Sequence, residues 1–116
     1  MKIQNMTNKE NFIKAYDDGL FEIELMKKEE TGKKVYRFSD NRLNTVSWIL
    51  HKYENKCAIE YNGDVPFTVY CSMDNNNIEI DHAIMNGKTY RADRYLKKFE
   101  VVCILTNCFT NFGLCD

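Results

Sequence analysis

Proline is nearly absent from this 116-residue chain, which has one, and its five glycines stand singly at positions 19, 32, 63, 87 and 113. A P-loop and a dinucleotide fingerprint both need clustered glycines, so both are excluded. Neither G-x-S-x-G nor H-E-x-x-H occurs, and two histidines are the only side chains with an ordinary pKa near neutrality. Standard hydrolase chemistry has little to work with. No apolar run exceeds Val101 to Leu105, against the roughly 20 residues a membrane-spanning helix needs. Neither sign of charge dominates, since 16 Lys plus Arg stand against 17 Asp plus Glu. The near-balance excludes a globally basic nucleic-acid binder and a strongly acidic DNA mimic. No C-x-x-C pair is present, and Cys103-x4-Cys108-x6-Cys115 fits no usual zinc spacing. With Cys57 and Cys71 the cysteines are odd in number, and Met1 to Thr7 has no signal-peptide apolar core. They read as reduced, buried thiols of a cytoplasmic protein.

What the chain does have is a bias toward residues encoded by A/T-rich codons. Phe, Tyr, Met, Ile, Asn and Lys supply 53 of the 116 residues, while Gly, Ala, Arg and Pro together supply 14. That balance suits a low-GC bacterium, its phages or an A/T-rich virus, and speaks to ancestry rather than chemistry. A chain this long can bury about two thirds of its unfolded surface around one core. No repeat, low-complexity tract or Pro/Gly/Ser linker divides it, so one α+β domain over residues 1–116 is expected.

Thr7 and Glu10 stand at capping-box spacing and predict a helix from Asn8 to Asp18, with Phe12, Ile13 and Tyr16 on one side and Gly19 at its stop. The period then changes to two. Phe21, Ile23 and Leu25 alternate with Glu22 and Glu24, and Glu30-Thr31-Gly32 turns the chain into a second strand, Lys34 to Phe38. Asp40 caps a predicted second helix through Glu54, with Leu43, Val46, Leu50 and Tyr53 on one face. Five strands are expected beyond it: Lys56 to Tyr61, Pro66 to Met73, Ile78 to Met85, Lys88 to Arg94 and Phe99 to Thr106. Asn62-Gly63 and Asn86-Gly87 are strong hairpin signals, because both central residues of a type I′ turn need positive φ. The fold class is α+β, an antiparallel meander with two helices packed on it in the order αββαβββββ. The apolar tail Asn107 to Asp116 packs back on the domain in this reading, the alternative being a homo-oligomer contact.

Turn lengths fix registers. A two-residue Asn86-Gly87 turn pairs His82 with Arg91 and Ile80 with Asp93, and a four-residue Asp74 to Asn77 loop pairs Val69 with His82 and Cys71 with Ile80. Phe67, Val69, Cys71, Met73, Ile78, Ile80 and Ile84 then share a face with His82, Arg91 and Asp93. Polar groups among apolar ones cost free energy unless paired or open to water, so this constellation is a candidate polar pocket. A one-residue slip would turn the same residues to solvent. Cys71 and His82 as diagonal neighbours raise a Cys–His nucleophile, for which no third orienting residue stands out.

Charge is also polarised along the chain. Asp17 to Glu30 holds six acids against two lysines, while Lys88 to Lys98 holds five bases against one acid. With Tyr90 and Tyr95 among Arg91, Arg94, Lys97 and Lys98, the basic stretch can hold a phosphate-bearing molecule by charge and stacking. The plainer reading is a solvated sheet edge whose lysines discourage aggregation. Trp48 falls on the predicted helix with Thr45 and Lys52, away from Leu43, Val46 and Leu50, which makes it a candidate partner anchor, the alternative being burial of that side of the helix under a further element.

These readings converge on a small non-enzymatic binding protein, phage or mobile-element encoded, that inhibits a host protein or defence system by occupying its surface. The candidate contact residues are Trp48, His82, Tyr90, Arg91, Arg94, Lys97 and Lys98. The alternative is a domain that sequesters a nucleotide or other phosphate-bearing small molecule in a His82/Arg91 pocket. No catalytic residue, metal or cofactor is assigned, and neither nucleic acid nor membrane is the expected partner.

Overall fold

The computed structural model describes residues 2–4, 9–41, 46–75, 77–91 and 97–115. In chain order these form β1 (Lys2–Gln4), α1 (Lys9–Asp17), β2 (Phe21–Lys28), β3 (Lys34–Asp40), β4 (Val46–Tyr53), β5 (Lys56–Asn62), β6 (Phe67–Asp74), β7 (Asn77–Met85), β8 (Lys88–Arg91) and α2 (Lys97–Asn111). The eight strands make one antiparallel sheet in which β2 to β8 follow each other as a meander. β1 returns to pair with residues 77–79 while β8 pairs with residues 82–85, so both lie along the same side of β7. The α+β class, with two helices and one antiparallel sheet, is the expected one.

Two elements exchange type relative to the sequence reading. The helix predicted from Asp40 to Glu54 is replaced by β4, with residues 42–45 outside the described residues. Val46, Trp48 and Leu50 alternate with Ser47, Ile49 and His51, so this apolar stretch satisfies a strand period as well as a helical one. Flanking strands decide between them: β3 and β5 pair with β4 on its two sides, giving its backbone a ladder on both. Conversely, the strand predicted from Phe99 to Thr106 lies within α2. Phe99, Val102, Cys103, Thr106 and Phe109 hold helical spacing, and the apolar face of the sheet needs one long apolar body to cover it. Both helices stop alike. Leu20 N donates to Ala15 O and Gly19 N to Tyr16 O, as Leu114 N does to Phe109 O and Gly113 N to Thr110 O, with Gly19 and Gly113 at positive φ.

The core lies between α2 and one face of the sheet. Tyr36, Phe38, Trp48, Leu50, Ile59, Val69, Ile78 and Ile80 come from the strands, and Phe99, Val102, Cys103, Cys108 and Phe109 from α2, all fully or nearly fully buried. Phe109 is its pivot, with its ring 4.9 Å from Phe38 and 5.4 Å from Phe21. The polar groups that α2 brings inward are partnered. Trp48 Nε1 donates to Thr106 Oγ1 at 2.9 Å, Thr106 Oγ1 to Val102 O at 2.7 Å, and Asn107 Nδ2 to Asn75 O at 2.9 Å. The tail does fold back within the chain: Cys115 is buried and its carbonyl accepts the Tyr36 hydroxyl. Trp48, 1% exposed, is therefore a core residue and no surface anchor.

Candidate binding face

The register that places His82 contains one extra residue. From Asp74↔Asn77 to Cys71↔Ile80 the β6–β7 ladder runs regularly, then resumes as Tyr70↔His82, Val69↔Ala83 and Phe67↔Met85. Asp81 is the bulged residue, and a bulge reverses the face of everything beyond it. Cys71 opposite Ile80 agrees with the sequence reading, but Val69 faces Ala83 instead of His82. His82 and Ile84 consequently leave the core face, where Ala83 and Met85 take their places.

On the outer face the registers build a row across three strands. Tyr70 is opposite His82, and His82 is opposite Arg91 as the two-residue Asn86-Gly87 turn predicts, with φ of 54° and 75° at the turn. The Tyr70 and His82 rings stack at 4.5 Å with 16° between their planes. Asp81 Oδ2 lies 2.6 Å from His82 Nδ1, so the bulge also orients the imidazole. Tyr70 and Ile84 are exposed by 37% and 39%, and Arg91 is exposed. Lys56, Tyr70, Ser72, Glu79, Asp81 and His82 border a shallow depression of about 590 Å³. A second histidine on this face, His51, pairs with Glu60 at 2.6 Å between Nε2 and Oε2.

The Cys71–His82 pair is not assembled, because Cys71 stays in the core while His82 shares Tyr70's face. Cys57 lies opposite Cys71 in the β5–β6 ladder, and the thiols of Cys57, Cys71 and Cys103 are linked by hydrogen bonds across β5, β6 and α2. The bond to Cys71, then burial, pushes the Cys57 thiol up. The bond to Cys103, then burial, does so for Cys71 against the opposing bond with Cys57. Both are held as thiols, the form that neither attacks carbonyls nor ligates metal. Among the described residues no group of three His, Cys, Asp or Glu is placed to hold a metal ion.

The other predicted contact residues scatter. Tyr90 is partly buried, its ring 5.7 Å from Phe99, and so braces the core. Lys97 and Lys98 are exposed in the first turn of α2, with Lys97 Nζ 3.5 Å from Glu100 Oε2. Arg94, Asp93 and Tyr95 lie outside the described residues. Lys98 instead borders a mainly apolar groove of about 340 Å³ between α2 and the sheet, with Val46, Tyr61, Val65, Phe67 and Val101. Burial first, then the carboxylates of Asp64 and Asp40, push the Tyr61 phenol up.

The sequence reading brought His82 and Arg91 together correctly, and missed Tyr70. Only the bulge makes Tyr70 their neighbour, and no residue type at 81 announces one. No helix of the described residues is long and apolar enough to cross a membrane. Comparison with family models, curated proteins and solved structures finds no match.

Proposed function

We propose that the protein is a non-enzymatic binding protein that acts by occupying the surface of a protein partner, with the Tyr70–His82–Arg91 row as its contact. The supporting observation is the stacked Tyr70–His82 pair, fixed by Asp81 and flanked by exposed Ile84 and Arg91. Tyrosine and arginine dominate the energetics of protein interfaces, and a side chain already held in place loses less entropy on docking. The role as a phage or mobile-element inhibitor of a host defence protein rests on the low-GC composition and remains part of the proposal.

The test is native mass spectrometry of tagged protein isolated from lysate of a low-GC bacterial host, comparing the wild-type chain with Tyr70→Ala and Arg91→Glu. An additional polypeptide retained by the wild type and lost from both variants is the expected result. Equal capture by all three overturns the assignment of this face. The second reading, a phosphate-bearing aromatic ligand, is favoured by the same row, which sets a ring stack beside a guanidinium. In that case the bound mass is a few hundred daltons, and His82→Ala abolishes it.

A further inference from the structure

β2 ends the sheet on the side away from β7 and β8, pairing with β3 alone among the described strands. A strand in that position turns a row of backbone donors and acceptors away from the sheet, a template for one more strand. Natural edges are usually guarded along their length by bulges, lysines or proline. Here the guard covers only the second half of the strand. The register shifts between Leu25 and Lys27, and Lys27 and Lys28 follow. Residues 21–25 pair one for one with residues 40–36 and contain neither lysine nor proline.

The unguarded half runs along a groove of about 690 Å³, bordered by Tyr16 and Asp17 of α1, Glu22, Ile23 and Glu24 of β2, and Arg37 of β3. Asp17, Glu22 and Glu24 are exposed, so three carboxylates face this space against the single guanidinium of Arg37. Just beyond it, Leu25 is 46% exposed and Met26 50%.

We propose that residues 22–25 of β2 form a docking edge for an extended basic segment of a partner protein, which adds to the sheet as a further strand. Backbone bonds supply the attachment, as in strand addition generally. Lysine or arginine at alternate positions of the incoming segment meets Glu22 and Glu24, which project from one face of the sheet, and an apolar side chain meets Leu25. The bulge at residues 25–27 and the two lysines end the site and set its length. Within the regular half, a second antiparallel copy of β2 would set Glu22 against Glu24, and like charges directly opposite disfavour it as the occupant. The proposal deepens the reading of the chain as a binding protein, but it uses a different edge and does not need the Tyr70–His82–Arg91 row.

The probe is a capped six-residue peptide of alternating valine and lysine, titrated to about 1 mM against isotope-labelled full chain while backbone amide shifts are followed. Shifts confined to residues 16–25 are expected, with affinity reduced about tenfold or more by Glu22→Lys with Glu24→Lys, and with no effect of Tyr70→Ala. Glu22 and Glu24 are exposed, and a cooperative melt of the variant confirms that it folds. A control peptide with proline replacing each valine keeps the charge but cannot form the ladder, and should not bind. Equal binding of that control, shifts centred on residues 70, 82 and 91, or no shifts at all would each overturn the proposal. A doubled mass without peptide, with shifts at β2, would overturn it in favour of a second copy.

Discussion

At the residue scale the most informative bond joins the sheet to α2. Trp48 Nε1 donates to Thr106 Oγ1, and both residues are fully buried. Replacing Thr106 by valine keeps the volume and strands the indole N–H, which costs about 1–3 kcal/mol. The urea midpoint should fall with the m-value unchanged, and Thr106→Ser should recover most of the loss; a valine variant as stable as the wild type would show the bond to be dispensable. The buried thiols predict a second effect. Cys57 and Cys71 are raised above the ordinary 9.0, so above pH 9 the unfolded chain releases protons that the folded chain keeps. Their stabilisation is complete below that pH and lost as pH rises, by about 1.4 kcal/mol per pH unit for each thiol. Denaturant melts between pH 8 and about 10.5 should show this slope, and Cys57→Ala should reduce it. Tyr61, raised from 10.0, adds to the decline only at the alkaline end.

At the scale of elements, the bulge in β7 and the last turns of α2 make opposite predictions. Deleting Asp81 leaves Ile80 facing in, His82 out and Ala83 in, the regular alternation of a strand. The deletion is therefore expected to cost about 1 kcal/mol or less and to keep the His82 ring shifted by Tyr70 in proton spectra. Loss of that shift would mean that the bulge is needed to hold the row. Cutting the chain after Thr106 is expected to do the reverse, since it removes Cys108 and Phe109, both 0% exposed, and the buried Cys115. The sequence reading packs this tail back on the domain, and the structure places Cys108, Phe109 and Cys115 within the core. Phe109→Ala alone should cost about 3–5 kcal/mol, a large share of the 5–15 kcal/mol that typically holds a domain together.

For the whole molecule, the Cα radius of gyration of 13.5 Å matches the value of about 13.4 Å expected for a compact chain of this length. The element that covers the apolar face of the meander follows all the described strands, so they have no complete core until α2 arrives. Thermal unfolding followed by near- and far-ultraviolet circular dichroism should therefore give one coincident transition, and two separate transitions would show that the sheet persists without α2. The charge asymmetry also acts at this scale. The acidic groove beside β2 and the exposed Arg91 of β8 lie at opposite edges of the sheet, which separates the two signs of charge across the molecule.

Local rules read from sequence held at several short signals but not at Asn62-Gly63, where neither residue has positive φ and residues 63–66, not a two-residue turn, connect β5 to β6. Gly19 stopped α1, alternation of Phe21 and Ile23 with Glu22 and Glu24 gave β2, and Asn86-Gly87 set His82 opposite Arg91. They failed wherever a residue's partner lay far away in the chain. The stretches 46–53 and 97–111 each carry apolar residues at both strand and helix spacings, and what separates them is whether neighbouring strands or the apolar face of the sheet receives them. Gly113 followed by Leu114 was the one local clue to the end of α2, of the same kind as Gly19 followed by Leu20. The candidate site was legible as a pair and illegible as a place. His82 and Arg91 were matched by a turn of two residues, but the face they share depended on Asp81, whose insertion changes the side-chain direction of the strand without changing its composition. Sequence by itself determined the β2–β3 hairpin and the run of strands from β5 to β8, because turns and alternation act over a few residues. Tertiary structure alone decided which stretch became the covering helix and which side of the sheet meets water, because those follow from burying one continuous apolar surface.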